Sequence, residues 1–209
     1  MTLPRTSVAR AFAPGHLTGV FRPEAGDRDP RARGSVGAGI VLELGAWAEA
    51  RFTRGGRSIL RVEGDGRDSW PISEDVARRL RPDAPGTLVV RLKHELPVGQ
   101  GFGMSAAGAL ATALALASIS GTPRSQAVQV AHLADLFGGG GLGGVAAILG
   151  GGLEVRRQPG VPPYGQVVHR AFRSALLVGV VGPTIPSPSV LRSRAALRRI
   201  TKASHGWER

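Results

Sequence analysis

Residues 96–116, LPVGQGFGMSAAGALATALAL, govern how the rest of this chain is read. A β-rich run closes at Leu96, small or flexible residues follow at Gly99, Gly101, Gly103 and Ser105, and an alanine-rich helix opens at about Met104. A phosphate needs this arrangement. Glycines allow positive φ and close backbone approach, so successive amide groups can converge on its oxygens. The new helix aims its unsatisfied N–H groups and partial positive charge at the same point. Ser105 adds a hydroxyl for phosphate or magnesium, and Ala106, Ala107 and Gly108 leave room for a nucleotide along the helix. No Gly-Lys-Ser/Thr follows, so this is not a Walker loop, and the spacing is not that of a dinucleotide fingerprint. Taken alone, a tight glycine turn before a core helix explains the segment as well as a phosphate cradle does.

Outward from the loop, TLVVRLKHEL (87–96) is the clearest strand, bounded by Pro85-Gly86 and Pro97. Upstream, SVARAF (7–12) reads as a short strand entering a turn at Ala13-Pro14-Gly15, and 22–34 as a loop broken by Pro23 and Pro30. Residues 35–53 suggest a strand pair, and 58–64 a further strand. Ser73 precedes the helical EDVARRLR as a candidate N-cap. Downstream, helices are expected over 104–119 and 124–137, with a short helical turn inside the glycine-rich 138–152. Strands are expected at 153–157, 166–172 and 175–181, and a basic helix at 190–201. Strands, then helices, then more strands place the chain in the α+β class.

Composition narrows the function. The 209 residues suit one domain, or one domain and part of a second. Without cysteine there are no disulfides, thiolate metal sites or cysteine nucleophiles. No apolar run suits a membrane span or a signal peptide, so a soluble cytoplasmic protein is expected. The net charge of +12 raises nucleic acid as a partner. Yet nearly all the basic residues are scattered arginines, and no aromatic residues interleave with them as a stacking platform requires. The charge suits an anionic small molecule equally, and nucleic-acid binding is not the expected role. Beyond Glu95 the only acidic residues are Asp135, Glu154 and Glu208, which limits any carboxylate ligand there to a short list.

Several ordered segments carry a resemblance. Pro97-x-x-x-Gly101-Phe102-Gly103-Met104-Ser105-Ala106-Ala107 resembles the nucleotide-binding signature of the GHMP kinases. Ala13-Pro14-Gly15-His16-Leu17-Thr18-Gly19 is similar to their first motif, in the His-containing form of the pantoate kinases. Gly34-Ser35-Val36-Gly37-Ala38-Gly39, Ala131-His132-Leu133-Ala134-Asp135 and Gly141-Leu142-Gly143-Gly144-Val145 resemble further segments of that family. The resemblance implies an ATP-dependent kinase that converts pantoate to 4-phosphopantoate for coenzyme A synthesis, with magnesium accompanying ATP. It implies a ribosomal protein S5 domain 2-like N-terminal domain over 1–160 and an incomplete ferredoxin-like C-terminal domain over 161–209.

Roles follow from the same resemblance. Pro97, Gly99, Gly101, Phe102, Gly103, Met104, Ser105, Ala106 and Ala107 form the nucleotide site, and Ser105 with Asp135 the magnesium site. Asp135 stands where the family has Glu and is one methylene shorter; a solvated helical Asp is the competing reading. His16 is the candidate catalytic residue, and His16, Arg22 and Ser35 are the candidate pantoate contacts. A structural hydrogen-bonding His and a solvated loop Arg are their alternatives. Two departures bear on catalysis. Gly144 stands where the family has an Asp that often orients or deprotonates the acceptor hydroxyl, and the chain is C-terminally shortened, with no Thr-Lys in 182–191. Uncovered apolar surface would then favour a homodimer. A weakened nucleotide-binding remnant, or a kinase for another hydroxy acid, remain alternatives to pantoate phosphorylation.

Overall fold

The structure, a computed structural model, describes residues 4–24, 26–66, 68–184, 187–191 and 193–204; Arg192, within the expected basic helix, and the acidic Glu208 lie outside them. The architecture is α+β. Its strands are β1 (Thr6–Glu24), β2 (Gly34–Arg54), β3 (Ile59–Gly64), β4 (Gly86–His94), β5 (Leu153–Gln158) and β6 (Gln166–Arg170). Its helices are α1 (Pro71–Leu80), α2 (Met104–Ser120), α3 (Arg124–Gly138), α4 (Gly144–Ala147), α5 (Ser187–Leu191) and α6 (Arg194–Ala203).

β2 is the spine of the sheet. β1 runs antiparallel along nearly all of it, while its other edge pairs with β5 through Gly37–Ile40 and with β4 through Ala46–Arg54. β3 joins β4 in parallel through the crossover helix α1, and β6 pairs with β5. Alternation sets the two faces. Ala46, Ala48, Ala50 and Phe52 of β2 and Leu88, Val90 and Leu92 of β4 are buried, whereas Trp47 and Arg51 between them are exposed. The exposed face carries the Arg10–Glu49 and Arg91–Glu63 ion pairs. On the other face lies α2, buried on nearly every side because its sequence is apolar all round. Its many Ala residues and Gly108 let it lie close to β1 and β2, with α1 and α3 packed against it.

Several local expectations give way to long-range pairing. Ala13-Pro14-Gly15 does not end a strand; β1 continues for 19 residues, to Glu24 inside the segment expected to be loop. The register instead shifts between Pro14 and His16, where one residue of β1 faces three of β2. A proline without an N–H is tolerated at such an irregularity. The expected strand pair at 35–53 is one 21-residue strand, since β1 offers it a partner throughout. Ser73 is not an N-cap: α1 starts at Pro71, a residue suited to a first turn, and Ser73 is buried inside the helix. Residues 175–181 form no strand; with no neighbour to pair with among the described residues, Leu177 and Val181 stand almost fully exposed. The basic helix of 190–201 is two helices, α5 and α6. Among the described residues no helix is long and apolar enough to cross a membrane.

Candidate functional site

A cleft of about 970 Å³ opens where β1, β2 and β5 meet the start of α2. One wall is the loop between β4 and α2. Gly99, Gly101 and Gly103 have φ of 81°, 84° and 67°, a region that side-chain-bearing residues seldom occupy, so the loop has the shape its glycines were expected to give it. Gly103 is also the N-cap of α2, and no side chain caps that end. The loop is pinned to β1, since the His16 amide donates to the Phe102 carbonyl at 3.0 Å. Gly103 lies so close to His16 that a Cβ there would sit 3.3 Å from the His16 Cβ.

At the floor of the cleft, Ser105 of α2 stands beside the carboxyl of Asp135 on α3, where its hydroxyl favours the ionised form. Asp135 is 2% exposed, and its Oδ1 has no hydrogen-bond partner. Burial pushes its pKa up to about 6, opposed only in part by the Ser105 hydroxyl. The glycine run after α3 explains how the chain fits around it: a Cβ on Gly140 would lie 2.7 Å from Ser105 Oγ, and one on Gly141 3.0 Å from Asp135 Oδ2. A buried carboxylate oxygen without a partner, beside a hydroxyl and bare backbone, suits a hard cation with oxygen ligands. Among the described residues no group of three or more His, Asp or Glu side chains could enclose a metal by itself. Phosphate oxygens and water would have to complete the shell, as is usual for magnesium.

A second wall of the cleft, next to the glycine loop, is built from three adjacent strands. His16 from β1, Ser35 from β2 and Arg156 from β5 all line it, and each is about 97–98% buried. Arg156 is held by the carboxylate of Glu154, two residues earlier on the same face of β5. His16 Nε2 donates to the same Glu154 Oε1 at 2.9 Å, and Thr18 Oγ1 stands 3.4 Å from His16 Nδ1. Arg156 Nε has no partner, so the guanidinium keeps donor capacity at the cleft wall. Burial lowers its pKa and Glu154 opposes that, but an arginine stays charged in any case. A carboxylate or phosphate matches such a planar donor set.

The expected site residues divide accordingly. Gly99, Gly101, Phe102, Gly103, Met104, Ser105, Ala106, Asp135, His16 and Ser35 share the cleft. Pro97 and Ala107 do not line it: Pro97 is exposed, and Ala107 is buried with its amide bonded to the Gly103 carbonyl. Arg22 does not line it either, and its Nε donates to Glu24 at 2.9 Å. Sequence reasoning passed over Arg156 and named Glu154 only among the few carboxylates that could serve as ligands. Their only signal was a Glu-x-Arg spacing in a strand, which places two opposite charges on one face. Gly144 opens α4 directly against the floor, where a Cβ would stand 2.7 Å from the Ala106 Cβ.

This geometry has relatives. The model of the GHMP kinases N terminal domain matches residues 72–152, from α1 through the loop and Asp135 to the end of the glycine-rich segment. The pantoate kinase of Methanospirillum hungatei is 31% identical over 204 residues, covering 92% of this chain and 67% of that protein. The chain belongs to the GHMP kinases. The pantoate kinase of Thermococcus kodakarensis is 40% identical over 162 residues, covering 75% of this chain and 54% of that protein. A solved structure described as a phosphotransferase related to the CoA biosynthesis pathway superposes with a TM-score of 0.74 at 38% identity, covering 79% of this chain and 58% of that one. This GHMP kinase chain thus spans roughly half to two thirds of the relatives it matches.

Proposed function

We propose that this chain carries the nucleotide-binding and acceptor-binding parts of an ATP-dependent pantoate kinase, which forms 4-phosphopantoate and ADP. The observation that carries this reading is one cleft lined by a phosphate-shaped glycine loop, the Ser105–Asp135 pair, and the buried Arg156, His16 and Ser35. The loop and the open start of α2 receive the triphosphate. Ser105 and Asp135 hold magnesium, which supplies neutralisation of the phosphate charge when bound. Arg156 takes the pantoate carboxylate, with His16 and Ser35 beside it. The acceptor hydroxyl oxygen bonds to the γ-phosphorus, the bond to the β–γ bridging oxygen breaks, and ADP leaves. A loose transition state develops little need for an early base, so the hydroxyl proton passes to a phosphoryl oxygen or solvent.

Gly144 supports a second reading, a nucleotide-binding chain with weakened turnover, because the floor beside Ala106 has no space for a side chain at that position without a shift. A kinase for another hydroxy acid is compatible with the same donors. A cytoplasmic location, and self-association through the exposed apolar residues around Leu177 and Val181, go with either reading. The deciding experiment is coupled ADP release with Mg-ATP and pantoate, run beside Ser105→Ala. Release that depends on pantoate and falls at least about a hundredfold in the variant supports the kinase. ATP binding without turnover supports the weakened chain, and turnover with a different hydroxy acid alone reassigns the acceptor.

A further inference from the structure

We infer that Glu154 is a positioning residue which, through one carboxylate oxygen, fixes the His16 ring and the Arg156 guanidinium at the acceptor end of the cleft. Glu154 is 1% exposed and does not line the cleft, so it touches no ligand itself. Its Oε1 accepts from His16 Nε2 at 2.9 Å and from Arg156 Nη1. Two cleft-lining groups from different strands therefore share a single anchor.

The fold has made space for this junction. On β2, Gly39 stands opposite Glu154 and Gly37 opposite Arg156. A Cβ on Gly37 would lie 2.7 Å from Arg156 Nη2, and one on Gly39 would collide with His16 Nε2. The His16 side chain crosses β2 over Gly39, and the guanidinium passes over Gly37. Without those glycines the histidine of β1 could not reach the glutamate of β5 across the strand between them. Such a charge, removed from water, must be matched by geometry and hydrogen bonds. Here both bonds fall on Oε1, while Glu154 Oε2 and Arg156 Nε have no partner among the described residues.

The consequence for acceptor binding rests on the functional reading above; the anchoring itself does not. The experiment compares wild type with Glu154→Gln and Glu154→Asp in the whole chain. Gln keeps the shape and loses the charge, while Asp keeps the charge and loses reach. In ligand-free protein the His16 Nε2 proton resonance should lie far downfield, as expected for a charge-assisted bond, and move upfield in Glu154→Gln. In steady-state kinetics the KM for pantoate should rise about tenfold or more in Glu154→Gln, with a smaller rise in Glu154→Asp and a nucleotide KM within about twofold of wild type. An unmoved His16 resonance would overturn the anchoring. Equal loss of nucleotide and acceptor affinity in the folded Asp variant would overturn the positioning role, marking Glu154 as a folding residue. If Gln does not fold, the Asp variant is read by the same two signals. If wild type shows no turnover with pantoate, the functional reading fails while the ligand-free resonance still decides the anchoring.

Discussion

Asp135→Asn separates what the carboxylate does for binding from what it costs the fold. Burial raises the Asp135 pKa from 3.8 to about 6. Below the lower value the group is protonated in both folded and unfolded chains, and its stabilising protonated form is fully present. As pH rises through about 6 the folded chain must ionise a buried carboxyl group, and that stability is lost. At about 1.4 kcal/mol for each pH unit, the full cost at neutral pH is about 3 kcal/mol, of which about 2 kcal/mol falls between about pH 4.5 and 7.5. The residue is 2% exposed, so solvent screening takes little away. Asn keeps the size and an acceptor for Ser105 but cannot ionise. Urea unfolding of both proteins across this pH range, without metal or nucleotide, gives the test. The stability of the variant relative to wild type should climb by about 2 kcal/mol as pH rises, whatever constant offset the amide adds. Magnesium with ATP should stabilise wild type and not the variant. A relative stability that does not change with pH would refute the account of Asp135 as a strained, buried acid.

Two further perturbations test the packing of the cleft. Gly103→Ala places a side chain at φ 67° and 3.3 Å from the His16 Cβ, so it should cost about 1–2 kcal/mol in thermal unfolding and weaken ATP binding in titration calorimetry. Gly144→Ala brings two Cβ atoms to 2.7 Å and should cost about 1–3 kcal/mol, with most of the loss recovered in the double variant with Ala106→Gly. Full additivity of those two substitutions in denaturant unfolding would show that they do not meet.

The phosphate end was legible in the sequence because its parts are consecutive. Gly99, Gly101 and Gly103 lie within five positions of one another, Ser105 is in the first turn that follows, and the resemblance of Ala131-His132-Leu133-Ala134-Asp135 to a family segment pointed to Asp135 on α3. The acceptor end was legible only in pieces. His16 and Ser35 stood in recognisable segments, but nothing local marked Glu154 and Arg156, which acquire meaning only when β5 is laid against Gly37 and Gly39. The same limit explains the strands. Local residue types suggested that β1 stops at Ala13-Pro14-Gly15, whereas β2 offers a partner as far as Glu24. At 175–181 the error ran the other way: a β-branched pattern is only half of a strand, and the other half is a neighbour.

The His16–Glu154 contact joins residues 138 positions apart in the chain. During vectorial synthesis that separation becomes an order of events. β1, β2, β4 and α2 are all complete in the chain by residue 120, and α3, which carries Asp135, by residue 138. Only afterwards does β5 appear and insert its charged pair against a sheet that already exists. Closing so long a loop costs little more than closing one half its length, about 0.6 kcal/mol, so lateness adds little to the thermodynamic cost. It does order the synthesis: Glu154 and Arg156 are made after the segments whose backbones join His16 to the glycine loop. A growing chain therefore holds the glycine loop and Asp135 before it holds Glu154 and Arg156.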